Sequence, residues 1–242
     1  MNDARPAFYA LRPGGWRDYV TLLHPPYTLW HLSYVVIGAA LAPQFRAGLL
    51  GWTLLAFFLA MGIGAHALDE LRGRPLQTHI PERGLATLAG VSIAAAAAVG
   101  IVVAARRDLW LLAFVAVGCV LVVAYNLELF GGAVHGHLWF ALGWGAFPLL
   151  TAYFASAHTV RAEALLAALF AALLSSAQRT LSTPVREVRR RIRHVSGTVE
   201  RVDGTTEPLT AASLSRAPEL ALQTLAVAVV ALALALVVLR VT

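Results

Sequence analysis

The sequence predicts an all-helical protein that crosses a membrane several times. Of its 242 residues, 59% are hydrophobic and 13% are charged, and the mean hydropathy is +0.70. A soluble domain usually has about a quarter of its residues charged. Apolar runs recur at about the length that a helix needs to cross a bilayer, and they are continuous rather than alternating. Because backbone in lipid must form helices or a closed barrel, we expect one transmembrane helical bundle over residues 1–242.

Seven apolar segments predict about seven spans, with boundaries at roughly 27–43, 49–71, 85–105, 109–127, 138–157, 162–181 and 218–240. Residues 1–26 are polar and contain no apolar stretch of the kind that marks a secretory signal. A second polar segment, 182–217, separates the last two spans. Its sequence VREVRRRIRH favours a helix lying on the membrane surface, followed by a flexible stretch rich in Gly, Thr and Ser.

The arginines predict the orientation of the bundle. All 19 basic residues are arginine, and a cytoplasmic N-terminus places 14 of them inside and 5 outside. That asymmetry agrees with the positive-inside rule. The net charge of +6 is therefore attributed to topology and to anionic lipid head groups, and not to nucleic acid. A short compact chain without a targeting peptide favours a prokaryotic inner membrane.

The first polar cluster lies near the end of the second span. His66, Asp69 and Glu70 stand at i, i+3 and i+4, which places them on one helix face. A carboxylate at membrane depth costs about 2.5–3.5 kcal/mol unless it is paired or functional. The oxygen ligands suit Mg²⁺, and the neighbouring Arg72 and Arg74 suit phosphate. An ion-pair cluster at the membrane surface explains the same residues equally well.

Two further polar clusters follow the fourth and sixth spans. The sequence AYNLELFGGAVHGH holds side chains that suit a transition metal such as Zn or Fe: Glu128, His135 and His137. The sequence SSAQRTLSTPVREVRRR suits a diphosphate or an anionic head group through Gln178, Arg179, Arg186 and the run Arg189–Arg191. For the triple arginine, a membrane anchor is the simpler interpretation. With the N-terminus inside, all three clusters share the cytoplasmic face.

Over about residues 20–185 the chain resembles the UbiA superfamily of intramembrane prenyltransferases. LHPPYTLWHLSYVVIGAALA resembles the first helix of that family, and HALDELRGRPLQTHIPERGLATLAG stands in the place of its first Asp-rich motif. AYNLELFGG with the later LGWGAFPLLTAYFA resembles the junction of its fourth and fifth helices. The resemblance implies a polyprenyl diphosphate held through Mg²⁺, an allylic cation that alkylates an acceptor inside the bundle, and an apolar tunnel for the isoprenoid.

The chain departs from the family pattern in its acids. With Asp69 aligned to the second Asp of the first motif, Ala65 and His66 occupy the Asn-Asp positions and Gly73 occupies the last Asp position. Residues 178–183 carry no acid where the second motif is expected. The family usually has nine spans, against the seven predicted here.

The resemblance and the clusters together give three readings of function. The first is a divergent Mg²⁺-dependent prenyltransferase that joins a polyprenyl diphosphate to a lipophilic acceptor. The second is a membrane enzyme with a His/carboxylate transition-metal site, and the third is a non-catalytic lipid-binding protein. In the first reading the catalytic residues are His66, Asp69 and Glu70; the metal ligands are Asp69, Glu70, Glu128 and His66; and the substrate-binding residues are Arg72, Arg74, Tyr125, Asn126, Arg179 and Gln178.

Overall fold

The structure is a computed structural model that describes residues 5–242. Its described part has eight helices and one small antiparallel sheet. In chain order the elements are α1 Trp16–Leu22, α2 Pro25–Leu41, α3 Ala47–Gly73, α4 Glu82–Arg107, α5 Leu111–Asn126, α6 His137–Ala157, α7 Ala162–Arg190, β1 Thr198–Glu200, β2 Thr206–Pro208 and α8 Ala211–Val241.

The predicted all-helical class is confirmed. Within residues 5–242, five helices are long and apolar enough to cross a membrane: α3, α4, α6, α7 and α8. Helix α5 is apolar but shorter, and α2 has 17 residues. Every one of the seven predicted segments lies largely on one of the helices α2 to α8. The finding supports an integral membrane protein, and the count of seven spans stays a prediction.

Local sequence explains where several of these helices begin and end. Pro25 and Pro26 open α2, where a missing N–H costs no hydrogen bond. Helix α3 ends at Gly73, and the next residue, Arg74, adopts the left-handed conformation that commonly terminates a helix. Thr210 caps α8 by accepting a hydrogen bond from the Ser213 N–H, while the Ser213 hydroxyl accepts one from the Thr210 N–H.

The helices pack as two groups that meet around a shared interior. The first group is α3, α4 and α5, which contact one another. In the second group, α2 and α7 each pack on both α6 and α8. In the second group the indole N–H of Trp30 donates to the Tyr34 hydroxyl at 2.6 Å, and the Ser175 hydroxyl donates to the same oxygen at 3.2 Å. The first of these buried hydrogen bonds lies within α2, and the second joins α7 to α2.

Glycines allow close helix contacts in the second group. A Cβ added to Gly38 on α2 would collide with the backbone carbonyl of Leu149 on α6. A Cβ added to Gly145 on α6 would lie 2.5 Å from the carbonyl oxygen of Ala171 on α7. In both places the obstacle is backbone, which cannot rotate away as a side chain can.

We expect Gly38→Ala to destabilise the protein, because the new methyl group must push α2 away from α6. Overpacking of this kind costs about 1–3 kcal/mol, and thermal unfolding in detergent measures it. Gly51→Ala is the matched control, since Gly51 also lies in a helix and has open space around it. Equal unfolding midpoints for the two variants would contradict this account of the α2–α6 contact.

The segment 182–217 differs from its sequence-based description. Residues up to Arg190 continue α7 through Pro184, so the described structure holds no separate surface helix there. The buried positions Gln178, Ser182, Val185 and Val188 lie on one face, which keeps this part of α7 packed on the protein. The stretch that follows is a β-hairpin in which Val199 pairs with Glu207. Its turn is closed by Asp203, which accepts hydrogen bonds from the backbone and hydroxyl of Thr205.

Candidate functional site

A polar cavity of about 210 Å³ lies at one end of the bundle. Parts of α3, α5, α6 and α7 form its walls together with α2 and the segment that precedes α1. The structure thus brings together the three polar clusters, which are far apart in the sequence. Its polar and aromatic lining comprises Phe8, Tyr9, His24, Tyr27, His31, His66, Asp69, Tyr125, Asn126, His135, Phe140, Trp144, Gln178, Arg179, Ser182, Arg186 and Arg190.

Two π-helical segments lie at the cavity. One is Phe58–Ala65, which directly precedes His66, and the other is Ala141–Ala146, which contains Trp144. Both carry the sequence Gly-x-Gly-Ala, and the small side chains accommodate the wider turn. Segments of π-helix are rare and frequently occur at functional sites. Here each one sets the position of a side chain in the cavity wall.

Three arginines of α7 supply the positive charge of the cavity. Arg179, Arg186 and Arg190 are spaced so that they fall on neighbouring parts of one helix face. Arg179 donates to the Tyr125 hydroxyl and lies 5.6 Å from the centre of the Phe140 ring. Arg190 donates from Nε to the carbonyl of Pro6 at 3.2 Å. Arg186 is exposed at the mouth and makes one long contact of 3.5 Å with Thr183. All three guanidinium groups therefore retain free N–H donors.

Asp69 is the one carboxylate that lines this cavity in the described structure. It is half-buried, and among the described residues it has neither a hydrogen bond nor an ion pair within 4.0 Å. A carboxylate placed in a membrane-spanning helix without a partner is costly. The arrangement is typical of a functional group and not of a structural ion pair.

Three histidines in the cavity wall share one hydrogen-bonding pattern. The Nδ1 atom of His31 lies 2.9 Å from the carbonyl oxygen of Trp144, and Nδ1 of His66 lies 3.1 Å from that of Gly62. His135 contacts the carbonyl of Tyr125 in the same way. Because a carbonyl only accepts, the proton of each neutral ring is assigned to Nδ1, and each Nε2 is left as a hydrogen-bond acceptor.

His24 differs from the other three. Its ring stacks on His66 at 4.2 Å, and its Nδ1 lies 2.6 Å from the Tyr9 hydroxyl. Burial lowers the pKa of His24 well below its usual value, and the neighbouring His66, Arg190 and Arg186 lower it further. Burial also raises the pKa of Tyr9, so the phenol keeps its proton and donates it to Nδ1. The neutral His24 ring therefore carries its own proton on Nε2.

Six of the ten predicted site residues line the cavity: His66, Asp69, Tyr125, Asn126, Gln178 and Arg179. The other four do not. Arg72 donates to the carbonyl of Leu127 at 2.7 Å and to the carboxylate of Glu128 at 2.9 Å, and this exposed pair joins α3 to the loop after α5. Arg74 donates to the carbonyls of Thr78 and Ile80 and so fixes the connection between α3 and α4.

Glu70 has a structural environment. It is completely buried, and its carboxylate accepts hydrogen bonds from the backbone N–H of Leu76 at 2.9 Å and from that of Thr78 at 2.8 Å. The Thr78 hydroxyl donates a third bond at 2.9 Å. Both oxygens are thus occupied by the α3–α4 connection. Glu70 turns away from the cavity because it follows Asp69 directly, and successive helix residues differ by about 100° in direction.

The four predicted metal ligands are not brought together. With Glu70 held by the loop and Glu128 by Arg72, only Asp69 and His66 of that set reach the cavity. Within residues 5–242, no three His, Cys, Asp or Glu side chains form a group that suits a metal ion. These residues do not fit a resident Mg²⁺ held by protein carboxylates. Mg²⁺ as the cofactor stays a prediction, as does the transition metal.

A second, apolar cavity of about 100 Å³ adjoins the polar one. It lies among α3, α4, α5 and α6, and its lining includes Phe57, Phe114, Phe147 and Gly118. Trp144 belongs to the walls of both cavities and so separates them. The pair offers a polar compartment and an apolar compartment side by side, as an amphiphilic ligand requires.

Sequence reasoning missed the contribution of the N-terminal segment, of His24 and of Tyr27. Nothing in the local pattern shows that residues 6–9 fold over the cavity, where Arg189 and Arg190 bind the carbonyls of Arg5 and Pro6. The sequence offered one signal for His24, since this histidine directly precedes Pro25-Pro26, where α2 begins. The repeated Gly-x-Gly-Ala was a second signal.

The chain matches no protein-family model, no curated protein and no solved structure at a significant level.

Proposed function

We propose that the protein is an integral membrane enzyme of the prenyltransferase type. In this proposal the diphosphate of a polyprenyl diphosphate lies in the polar cavity, and part of the chain lies in the apolar cavity beyond Trp144. A lipophilic acceptor receives the isoprenoid. The observation that carries the proposal is the set of three arginines facing one cavity, next to an apolar cavity in a membrane bundle.

The charges of the cavity favour a strongly anionic ligand. Arg179, Arg186 and Arg190 face one acid, Asp69, so the lining has an excess of positive charge. Guanidinium groups bind phosphate oxygens through paired N–H donors, and such charge-assisted bonds contribute about 1.5–3 kcal/mol each. Arginine in this role takes over the charge neutralisation that metal ions supply in the UbiA superfamily.

The same groups suit the bond-breaking step. The allylic C–O bond breaks, the diphosphate keeps the electron pair, and the arginines stabilise the charge that develops on its oxygen. The allylic cation then accepts an electron pair from the acceptor. The proton that the acceptor loses passes to Asp69, the one carboxylate that lines the cavity in the described structure.

Arg186→Gln tests the proposal with least risk to the fold, since Arg186 is exposed and makes only one long contact. We expect it to weaken binding of a prenyl diphosphate about tenfold or more, and to slow release of pyrophosphate from a labelled substrate. Arg193→Gln is the matched control, because Arg193 is an exposed arginine at the same end of the bundle and does not line the cavity.

Each outcome of this experiment separates the readings. Binding and pyrophosphate release that both fall in Arg186→Gln, and not in Arg193→Gln, support the proposal. Binding without any release identifies a lipid-binding protein. A stoichiometric Zn or Fe in the purified protein, with no affinity for diphosphate, identifies the transition-metal enzyme and contradicts the proposal.

A further inference from the structure

A groove of about 580 Å³ lies between α3 and α4, at the opposite end of the bundle from the polar cavity. Arg46 at the groove directly precedes α3, whereas His66 of the polar cavity lies about 30 Å further along that helix, at about 1.5 Å per residue. Both helices are long and apolar enough to cross a membrane, so the groove lies along a surface that faces lipid. None of its arginines lines the polar cavity.

Three arginines form one end of the groove: Arg46, which precedes α3, and Arg106 and Arg107 at the end of α4. Arg46 and Arg106 are exposed, and neither forms an ion pair among the described residues. Arg46 donates one hydrogen bond, from Nη2 to the side-chain oxygen of Gln44 at 2.9 Å. Within residues 5–242, no Asp or Glu lines the groove. This end therefore has an excess of positive charge and free N–H donors.

Arg107 is held at the groove by a chain of contacts from the loops at this end of the bundle. Its Nη2 lies 2.8 Å from Nε2 of His158, and Nδ1 of His158 lies 3.1 Å from the Asp108 carboxylate. Because an arginine only donates, Nε2 accepts, and the proton of the neutral ring is assigned to Nδ1, which donates to Asp108. Asp108 also accepts a hydrogen bond from the Trp110 N–H at 2.9 Å. The third arginine is thus positioned before any ligand arrives.

The positive-inside rule does not explain why these arginines meet. With the predicted orientation, the outer end of the bundle has five arginines: Arg46, Arg106, Arg107, Arg161 and Arg240. Arg240 has a structural role, since it donates to the carbonyls of Ala40 and Ala42 at 2.6 and 2.8 Å. Three of the other four line one groove. Like charges brought together repel, so an anionic ligand would stabilise this arrangement.

The rest of the groove is apolar. Leu49 and Trp52 of α3 face Val99, Val102 and Val103 of α4 across it. Trp52 and Val102 are about half exposed, at 53% and 49%, so this floor is open to the hydrocarbon of a bilayer. Tryptophan is typical of the depth at which head groups meet acyl chains. The groove therefore offers a cationic end at the membrane surface and an apolar floor beneath it.

We propose that this groove binds one anionic phospholipid, with its phosphate on Arg46, Arg106 and Arg107 and an acyl chain along Trp52 and Val102. Guanidinium groups bind phosphate oxygens through paired N–H donors. An inorganic anion would leave the apolar floor uncovered, and the choline of a zwitterionic lipid would be repelled by the arginines. The site is independent of the proposed function, because the two share no charged residue.

The test is photo-crosslinking of the full-length protein in phosphatidylcholine nanodiscs that contain phosphatidylglycerol with a diazirine on one acyl chain. Mass spectrometry identifies the labelled residues. We expect label on Leu49–Trp52 and Val99–Val103 of the wild-type protein. Unlabelled phosphatidylglycerol should displace this label at a concentration about tenfold lower than phosphatidylcholine of the same chain length, which corresponds to about 1.4 kcal/mol.

The double variant Arg46→Gln/Arg106→Gln should lose the label in the groove and keep any label at other places on the protein. Both side chains are exposed, so the fold is at little risk, and Arg106→Gln alone is the milder variant. Equal unfolding temperatures in lipid-free detergent check the fold. Arg12→Gln/Arg161→Gln is the matched control, because it removes two exposed arginines that do not line the groove.

Four outcomes would overturn the site. The first is an absence of label in the groove of the wild-type protein, and the second is equal displacement by the two lipids. The third is a groove label that survives in Arg46→Gln/Arg106→Gln, or that is lost equally in the control, since the arginines would then act only through total charge. The fourth is a dimer in lipid-free detergent that the double variant abolishes, which would assign the groove to a second copy of the chain.

Discussion

Asp69→Asn is expected to reduce turnover of a prenyl diphosphate about a hundredfold or more while the protein stays folded. Asp69 is the one acid that lines the polar cavity in the described structure, and it has no protein partner there. The amide cannot accept the proton that the acceptor loses, and a positioned general base typically contributes about 10²–10⁴ in rate. Release of labelled pyrophosphate and formation of the prenylated product measure the effect.

Binding and stability should separate from turnover in this variant. Removing a negative charge beside three arginines should leave the affinity for pyrophosphate unchanged or increase it. The unfolding temperature should not fall, because no hydrogen bond is lost. Glu128→Gln is the control: it is an acid at the same end of the bundle, it pairs with Arg72 outside the cavity, and it should keep its turnover. Full activity of Asp69→Asn would remove Asp69 from the mechanism.

Glu70→Ala is expected to cause the largest loss of stability of any variant proposed here. Three buried donors, the N–H groups of Leu76 and Thr78 and the Thr78 hydroxyl, would lose their acceptor. At about 1–3 kcal/mol for each unsatisfied group, the cost of the three groups is on the order of 3–9 kcal/mol. That is a large part of the 5–15 kcal/mol that typically holds a protein folded. Thermal or denaturant unfolding in detergent measures the loss.

If Glu70→Ala does not fold, the loss of stability is measured on the milder variant Glu70→Gln. Its amide has one oxygen in place of two, so an NH₂ group must face one of the backbone N–H donors. We expect an intermediate loss of stability, with activity retained in the folded fraction. Normal stability combined with lost activity would contradict the structural role, and it would restore Glu70 as a metal ligand or catalytic group.

The helices were predictable because the length of an apolar run is a local property of the sequence. The predicted span 49–71 corresponds to the observed helix Ala47–Gly73, and the predicted span 85–105 corresponds to Glu82–Arg107. The largest difference is in α7, predicted to end at 181 and observed to continue to Arg190. Charged residues lower the local hydropathy, so the predicted span stops before them. The helix itself continues, because one of its faces stays buried against the protein.

The site was predictable only in part, because it depends on contacts between distant segments. Helical spacing correctly placed His66 and Asp69 near each other. It could not show that Glu70 meets Thr78, eight residues later, since that contact depends on how the α3–α4 connection folds back. Arg190 belongs to the triple arginine, for which the sequence favours a membrane anchor, and the continuation of α7 brings it to the cavity beside Arg186.

In the proposed function the arginines of α7 hold a diphosphate head group without a resident metal. The most direct test is the dissociation constant of a non-hydrolysable prenyl thiodiphosphate, measured by calorimetry in detergent with excess EDTA, beside that of the matching prenyl alcohol. We predict saturable binding of the thiodiphosphate that is at least tenfold tighter than binding of the alcohol. We also predict that this difference is lost when Arg179, Arg186 and Arg190 are replaced by glutamine. Equal affinities for the two ligands in the wild-type protein, or a difference that survives the triple replacement, would contradict the account.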